Sequence, residues 1–144
     1  MDTQNYGNHR QNVPIYHFVL LPVLGLTVVG SVVNLVNSLD DHERLYSAAL
    51  IVVLSLSMLI GMIVVRIFAL KAQDRAIRAE ENLRHFVMTG KLLDARLTIG
   101  QIIALRFASD GEFVAMAKNA AEAGTAPDDI KRSIKEWRAD THRA

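Results

Sequence analysis

Residues Leu45 to Leu70, LYSAALIVVLSLSMLIGMIVVRIFAL, carry no charge before Arg66 and continue without a breaker into a charged helical pattern. At 1.5 Å per residue the uncharged part, Leu45 to Val65, reaches roughly 31 Å, about the hydrocarbon thickness of a bilayer. This stretch therefore reads as a membrane-spanning helix. A second uncharged run, Val13 to Leu39 with His17 neutral, precedes it. The expected fold class is an all-α membrane protein: a two-span transmembrane helical hairpin whose second span extends into a small cytoplasmic helical module. Its divisions are a polar lead-in at residues 1–12, two transmembrane helices within 13–70 (about 15–37 and 45–70), and a cytoplasmic module at 71–144.

Working back from the second span, the connector NSLDDHER is too short for anything but antiparallel neighbours. It holds Asp40, Asp41 and Glu43, whereas Arg10 precedes the first span and Arg66, Lys71, Arg75 and Arg78 follow the second. Basic residues collect on the cytoplasmic side, so both termini are expected there, in the bacterial inner membrane, with the acidic connector outside. A cleaved signal peptide is not expected, because the first apolar run is too long and no small-residue cleavage motif follows it. Tyr16 and His17, with Arg66 and Lys71 on the second span, are the expected interfacial anchors. Pro14 suits a first helical turn, while Pro22 either marks a later start or kinks the helix at Phe18.

Thr27, Ser31, Asn34 and Ser38 recur at threes and fours with Gly30 beside them, and Ser57 and Gly61 form a small-xxx-small pair. Small, weakly polar stripes let helices approach closely and hydrogen-bond across the contact. The stripe is expected to pack on the other span, with packing between copies or lining of a transport path as the alternative. Asn34, costly to leave against lipid, should have a partner.

Beyond Leu70 the helix is expected to run to Gly90, with Asp74–Arg78 and Glu80–Arg84 as supporting pairs four residues apart. Phe68, Ala72, Ala76, Ala79, Leu83 and Phe86 make a narrow apolar seam. It must close either on the rest of the module or on another copy. Three short helices follow. Thr98 with Gln101, and Ser109 with Glu112, read as capping boxes. The first opens a helix with Ile99, Ile102, Ile103 and Phe107 on one side; Gly124 ends the second, which carries Phe113, Met116, Ala117 and Ala120. In the last helix, begun by Thr125, Pro127 and Asp128, Ile130, Ile134 and Trp137 share a face. Phe86, Phe107, Phe113 and Trp137 are the expected core or docking residues, with Trp137 the keystone.

Chemistry is hard to place on this chain. It has no cysteine, and the five histidines, His9, His17, His42, His85 and His142, form no helical metal-ligand pair. The adjacent pairs Asp40–Asp41 and Asp128–Asp129 suit a solvated connector and a helix N-terminus. No phosphate loop or nucleophile elbow is present. An enzyme, a cofactor and a small-molecule substrate are therefore not expected. Net charge is +1, which gives no general attraction to nucleic acid. LTIGQIIALRFASDGEF reads as a plain helical hairpin, since its second helix offers Asp110, Glu112 and Phe113 where a recognition helix needs basic and amide side chains.

The stretches QNYGNHRQNVPIYHFVLLPV, KAQDRAIRAEENLR, LTIGQIIALRFASDGEF and IKRSIKEWRAD together resemble a family of uncharacterised small bacterial two-span inner-membrane proteins, a domain of unknown function. The resemblance implies a bacterial source and an inner-membrane location and supplies no activity. The expected function is association in the lipid bilayer, as a homo-oligomer or as an accessory subunit of a larger membrane complex, with the cytoplasmic helices for docking. The alternative is an oligomeric transporter or channel component whose path is lined by the first span's polar stripe.

Overall fold

The computed structural model describes residues 4–8 and 13–140, and among these the chain is helical with no strand. A π-helical segment, Ile15–Leu20, leads into α1 (Leu21–Asn37); α2 (His42–Thr89), α3 (Ile99–Leu105), α4 (Asp110–Ala123) and α5 (Pro127–Ser133) follow. The chain divides into two compact units, one of Asn12–Ala69 and one of Leu70–Ala144 together with Met1–Gln11.

Pro14 caps the π-helical segment and Pro22 falls in the first turn of α1. In a regular α-turn the Pro22 ring would collide with the carbonyl four residues earlier; a widened turn, closed by the Leu21 N–H on the Tyr16 carbonyl, precedes it instead. The helix therefore starts near Pro14 and still contains Pro22. The second helix begins at His42, three residues before the expected Leu45, because Asp41 caps it: its Oδ1 accepts from the Glu43 and Arg44 N–H groups at 3.1 and 3.3 Å. It then runs 48 residues to Thr89, where Gly90 takes the left-handed conformation (φ 73°) that ends helices.

In the Asn12–Ala69 unit the least exposed residues of α1 are Leu24, Gly25, Val28, Ser31 and Leu35, with Ser38 just beyond its end, and those of α2 are Leu45, Ala48, Val52, Ser55, Leu59, Met62 and Arg66, with Ala49 beside Ala48. The second set steps alternately by three and four, the spacing of a helix–helix seam. Ser31, Ser38, Ala48 and Ser55 are its buried members, all small. Between apolar helices such residues permit close approach, which is where packing and hydrogen bonding supply the attraction.

In the other unit, α3, α4 and α5 enclose a core of Ile102, Leu105, Phe107, Phe113, Ala117, Ala120, Ile130 and Ile134, with Leu93 and Leu97 from the segment before α3. Thr98 caps α3 in a complete capping box, and the Gln101 amide goes on to donate to the Thr125 carbonyl at 2.8 Å. Gln101 thereby ties the start of α3 to the turn before α5. Gly100 lets Pro127 pack against α3, since an added Cβ would lie 3.2 Å from its Cγ. Thr98→Ala should cost about 1 kcal/mol, read as a shift in the urea midpoint at unchanged m-value.

The second expected box does not form. The Ser109 side chain makes no cap bond, and its buried Oγ has no hydrogen-bond partner among the described residues. Glu112 is engaged elsewhere, accepting from the Lys135 and Glu136 N–H groups at 3.3 and 3.1 Å. Those bonds hold a C-terminal strap. Helix α5 stops at Ser133, and the extended chain beyond it pairs Trp137 with Ala108 in an isolated bridge, with the Arg138 N–H on the Phe107 carbonyl at 2.7 Å. Trp137 thus reaches the core from this strap and not from a helical face.

Candidate association surfaces

Arg84 makes four side-chain hydrogen bonds where α2 meets the rest of the Leu70–Ala144 unit. Its Nε and Nη2 donate to Asp110 Oδ1 at 2.8 and 2.6 Å, Nη1 to Glu81 Oε2 at 3.0 Å, and Nη2 also to the Ala108 carbonyl at 2.8 Å. The guanidinium lies 4.1 Å from the centre of the Phe113 ring. Arg84 and Glu81 side chains are only 11% and 6% exposed, and Arg138 approaches the second Glu81 oxygen at 3.6 Å. The planar fork of arginine suits this arrangement, serving two carboxylates and a carbonyl while stacking on an aromatic face. Asp110, the first residue of α4, has its carboxyl held below the usual range, chiefly by the Arg84 hydrogen bonds. The α2 end is further fastened where Asn82 Oδ1 accepts from the Leu93 N–H at 3.2 Å, and where His85 lies edge-on to Phe113.

The expected Glu80–Arg84 pair is therefore replaced, and Asp74–Arg78 is not formed either. The face of α2 that meets the module is Ile77, Glu81 and Arg84, whereas the apolar seam stays outside. Leu83 is 63% exposed and Phe86 50%, and Ala72, Ala76 and Ala79 are exposed as well. Phe107 and Phe113 are core, as expected; Trp137 packs on Phe107 with ring centres 5.2 Å apart but is only partly buried. The keystone is Phe113 with Phe107. Ile99, expected on the core side, is 40% exposed.

Of the first-span stripe, only Ser31 and Ser38 are buried. Ser31 Oγ meets Ser55 Oγ at 3.0 Å, and Ser38 is turned onto the Asn34 carbonyl of its own helix. Thr27, Gly30, Asn34, Ser57 and Gly61 lie on exposed faces, and an added Cβ at Gly30 or Gly61 would meet nothing within 4 Å. Packing on the other span is thus not their role within the chain. Ser55 was missed in favour of Ser57, because the run from Leu45 to Val65 is uncharged on every face and its spacing does not separate the two serines. Of the anchors, the Arg66 guanidinium lies 5.5 Å from the Tyr16 ring centre, Tyr16 and His17 make an edge contact at 5.0 Å, and Lys71 is exposed.

The polar lead-in has a defined place. Tyr6 donates its hydroxyl proton to Asp128 at 2.8 Å and accepts from Arg132 Nε at 3.2 Å, and Gln4 accepts from the Asp140 N–H at 2.7 Å. The Gln4–Asn8 segment thereby sits on α5 and the C-terminal strap.

No group of three or more His, Asp or Glu suited to a metal occurs among the described residues; His9 and His142 lie outside them. An open cleft of about 590 Å³ beside α4 and α5 is lined by Ser109, Met116, Asn119 and Lys135, with Glu112 already bound to the strap. In the loop before α3, Asp94 is pushed down to about 2, first by the side-chain hydrogen bonds of Arg96 and then by its backbone N–H. A depressed carboxyl stabilises the fold above its ordinary value of 3.8, and that contribution is lost as pH falls toward 2. A carboxyl-carbon NMR titration should place the Asp94 midpoint near 2, and Arg96→Gln should return it toward 3.8.

These features define an all-helical protein with two helices, Ile15–Asn37 and His42–Thr89, long and apolar enough to cross a membrane. The chain belongs to a family of unknown function, DUF6526, whose model matches residues 1–144. Neither curated proteins nor solved structures provide a significant match.

Proposed function

We propose that this chain is a two-span protein of the bacterial inner membrane that works by association, as a homo-oligomer or as an accessory subunit, with its cytoplasmic helical module for docking. The observation that carries association is the α2 seam: the helix commits its mixed Ile77, Glu81 and Arg84 face to its own module and leaves Leu83, Phe86 and three alanines exposed. Contiguous exposed apolar surface of this kind marks a binding face.

Membrane residence is supported by the two candidate spans, of whose most apolar windows only 6% and 11% is buried. The core helix of a soluble protein would be mostly covered. Residues such as Leu26, Val29, Leu54 and Ile60, each more than half exposed, are suited to lipid. Bonds from Gln4 and Tyr6 to the C-terminal segment support an even number of crossings, with both ends on one side. The run Arg66, Lys71, Arg75, Arg78 favours the cytoplasm as that side.

Transport is the second reading, favoured by Asn34, an exposed amide within an apolar span. Thr27 contributes little to such a path, because its hydroxyl donates to the Val23 carbonyl of its own helix at 2.8 Å. Step counting of single fluorescent copies reconstituted sparsely in liposomes tests association: two or more bleaching steps support self-assembly, and single steps with no partner retained on mild extraction contradict the proposal. Ion flux abolished by Asn34→Leu in the same liposomes would favour the transport reading instead.

A further inference from the structure

We infer that the exposed face of α2 between Ala72 and Phe86 is the contact of a parallel, two-fold dimer, its occupant being the same face of a second copy of this chain. The inference rests on the association reading above and names its partner. Ala72, Ala76, Ala79, Leu83 and Phe86 step by four, three, four and three, which is the seam of a two-stranded coiled coil. At 100° per residue the direction of Ile77, Glu81 and Arg84, which face the module, lies about 150° around the helix from that of the seam. The seam residues stay exposed, with Asp110 of α4 reaching only the edge of the cleft beside Glu80 and Leu83.

Charge decides the occupant. With Ala76 and Leu83 at one core position of the heptad and Ala72, Ala79 and Phe86 at the other, Arg75 and Glu80 flank the core, on opposite sides and five residues apart. In a parallel pair in register, the residue on one flank of the first helix meets the one five residues later on its neighbour. Arg75 of each copy therefore faces Glu80 of the other, twice by symmetry. Both residues are exposed, and among the described residues neither makes an ion pair. Two copies inserted in one bilayer with the same orientation present α2 in parallel, which is the arrangement this pairing requires. Alanine at three of the five core positions brings the helices close enough for the flanking side chains to reach across. Two heptads alone make a short coiled coil, and confinement in the membrane supplies the effective concentration that a soluble peptide would lack.

The chain has no cysteine, so single replacements report contacts cleanly. In native membranes containing the full-length chain, Ala79→Cys should form a disulfide-linked species of twice the chain mass under mild oxidation, and Arg78→Cys, exposed but off the seam, should not. The charges test register. Arg75→Glu places Glu against Glu, and Glu80→Arg places Arg against Arg, so each variant should pair poorly with itself. Co-expressed and carrying Ala79→Cys, the two should cross-link with each other about fivefold more than either with itself. Cross-linking of Ala79→Cys no greater than that of Arg78→Cys, or no preference for the mixed charge pair, would overturn the dimer. If cross-linking fails while the chain still runs in a larger complex, another occupant holds the seam and the association reading stands. Failure in a chain that is also monomeric and partnerless removes both.

Discussion

Replacing Phe113 with alanine is expected to destabilise the helical module by about 3 to 5 kcal/mol, the largest single effect available among its apolar side chains. Phe113 is 0% exposed, sits on the second turn of α4, supports the Arg84 guanidinium on its ring face and takes the edge of His85. Truncation removes a large buried side chain and leaves a cavity beneath the joint between α2 and α4. The single tryptophan makes the measurement direct, since Trp137 packs on Phe107 in the same core. Its emission should follow urea unfolding of the full-length protein in detergent. Phe86→Ala is the control: half-exposed on the seam, it should cost less than about 1 kcal/mol. Equal losses at the two positions, measured where the detergent-solubilised chain is monomeric, would show that the seam is covered by the module after all.

The second large effect is expected at Arg84. Arg84→Ala leaves Glu81, nearly buried, with only Arg138 at 3.6 Å, and should cost about 3 kcal/mol by the same fluorescence assay. Lysine should not rescue it, because a single ammonium cannot reproduce the forked contacts to Asp110, Glu81 and the Ala108 carbonyl. The loss comes mainly from stranding a buried carboxylate, so Arg84→Met combined with Glu81→Gln should recover a substantial part of it. Sequential, additive losses in that pair would mean that the two side chains do not act together.

The elements themselves were largely legible in the sequence. Apolar run length located both long helices, Gly90 marked the stop of α2 and Gly124 that of α4, and Thr98 with Gln101 announced α3. Partner choice was much less legible. Ser109 and Glu112 have the same capping pattern as Thr98 and Gln101, but Glu112 finds a better use holding two N–H groups of the strap, an interaction between residues more than twenty apart. Glu80 and Arg84 have ideal local spacing, and Arg84 is captured by Asp110, which local spacing cannot reveal.

The first-span stripe misled for a different reason. Hydroxyls in apolar helices can turn back onto their own carbonyls, as Thr27 and Ser38 do, so polarity alone does not identify the packed face. The packed face of Ala48, Val52, Ser55, Leu59 and Met62 has no contrasting polar face in a run that is uncharged from Leu45 to Val65, so it emerges only in the structure. On the part of α2 beyond Leu70 the rule inverts. The face that packs contains Glu81 and Arg84 and reads as solvent-facing, while the apolar face stays open. That inversion concentrates the α2 apolar surface beyond Leu70 where a partner can cover it. The docked lead-in left no sequence signal, since Gln4 and Tyr6 act singly and without period.

Association in the membrane is tested most directly by the mass of the complex released gently from native membranes, measured by native mass spectrometry with lipids retained. The account predicts either a defined multiple of the 16.0 kDa chain, a dimer if the seam closes on itself, or stoichiometric co-release with a larger membrane protein. A lone 16.0 kDa chain, recovered without partner under conditions that keep other membrane assemblies intact, would contradict it.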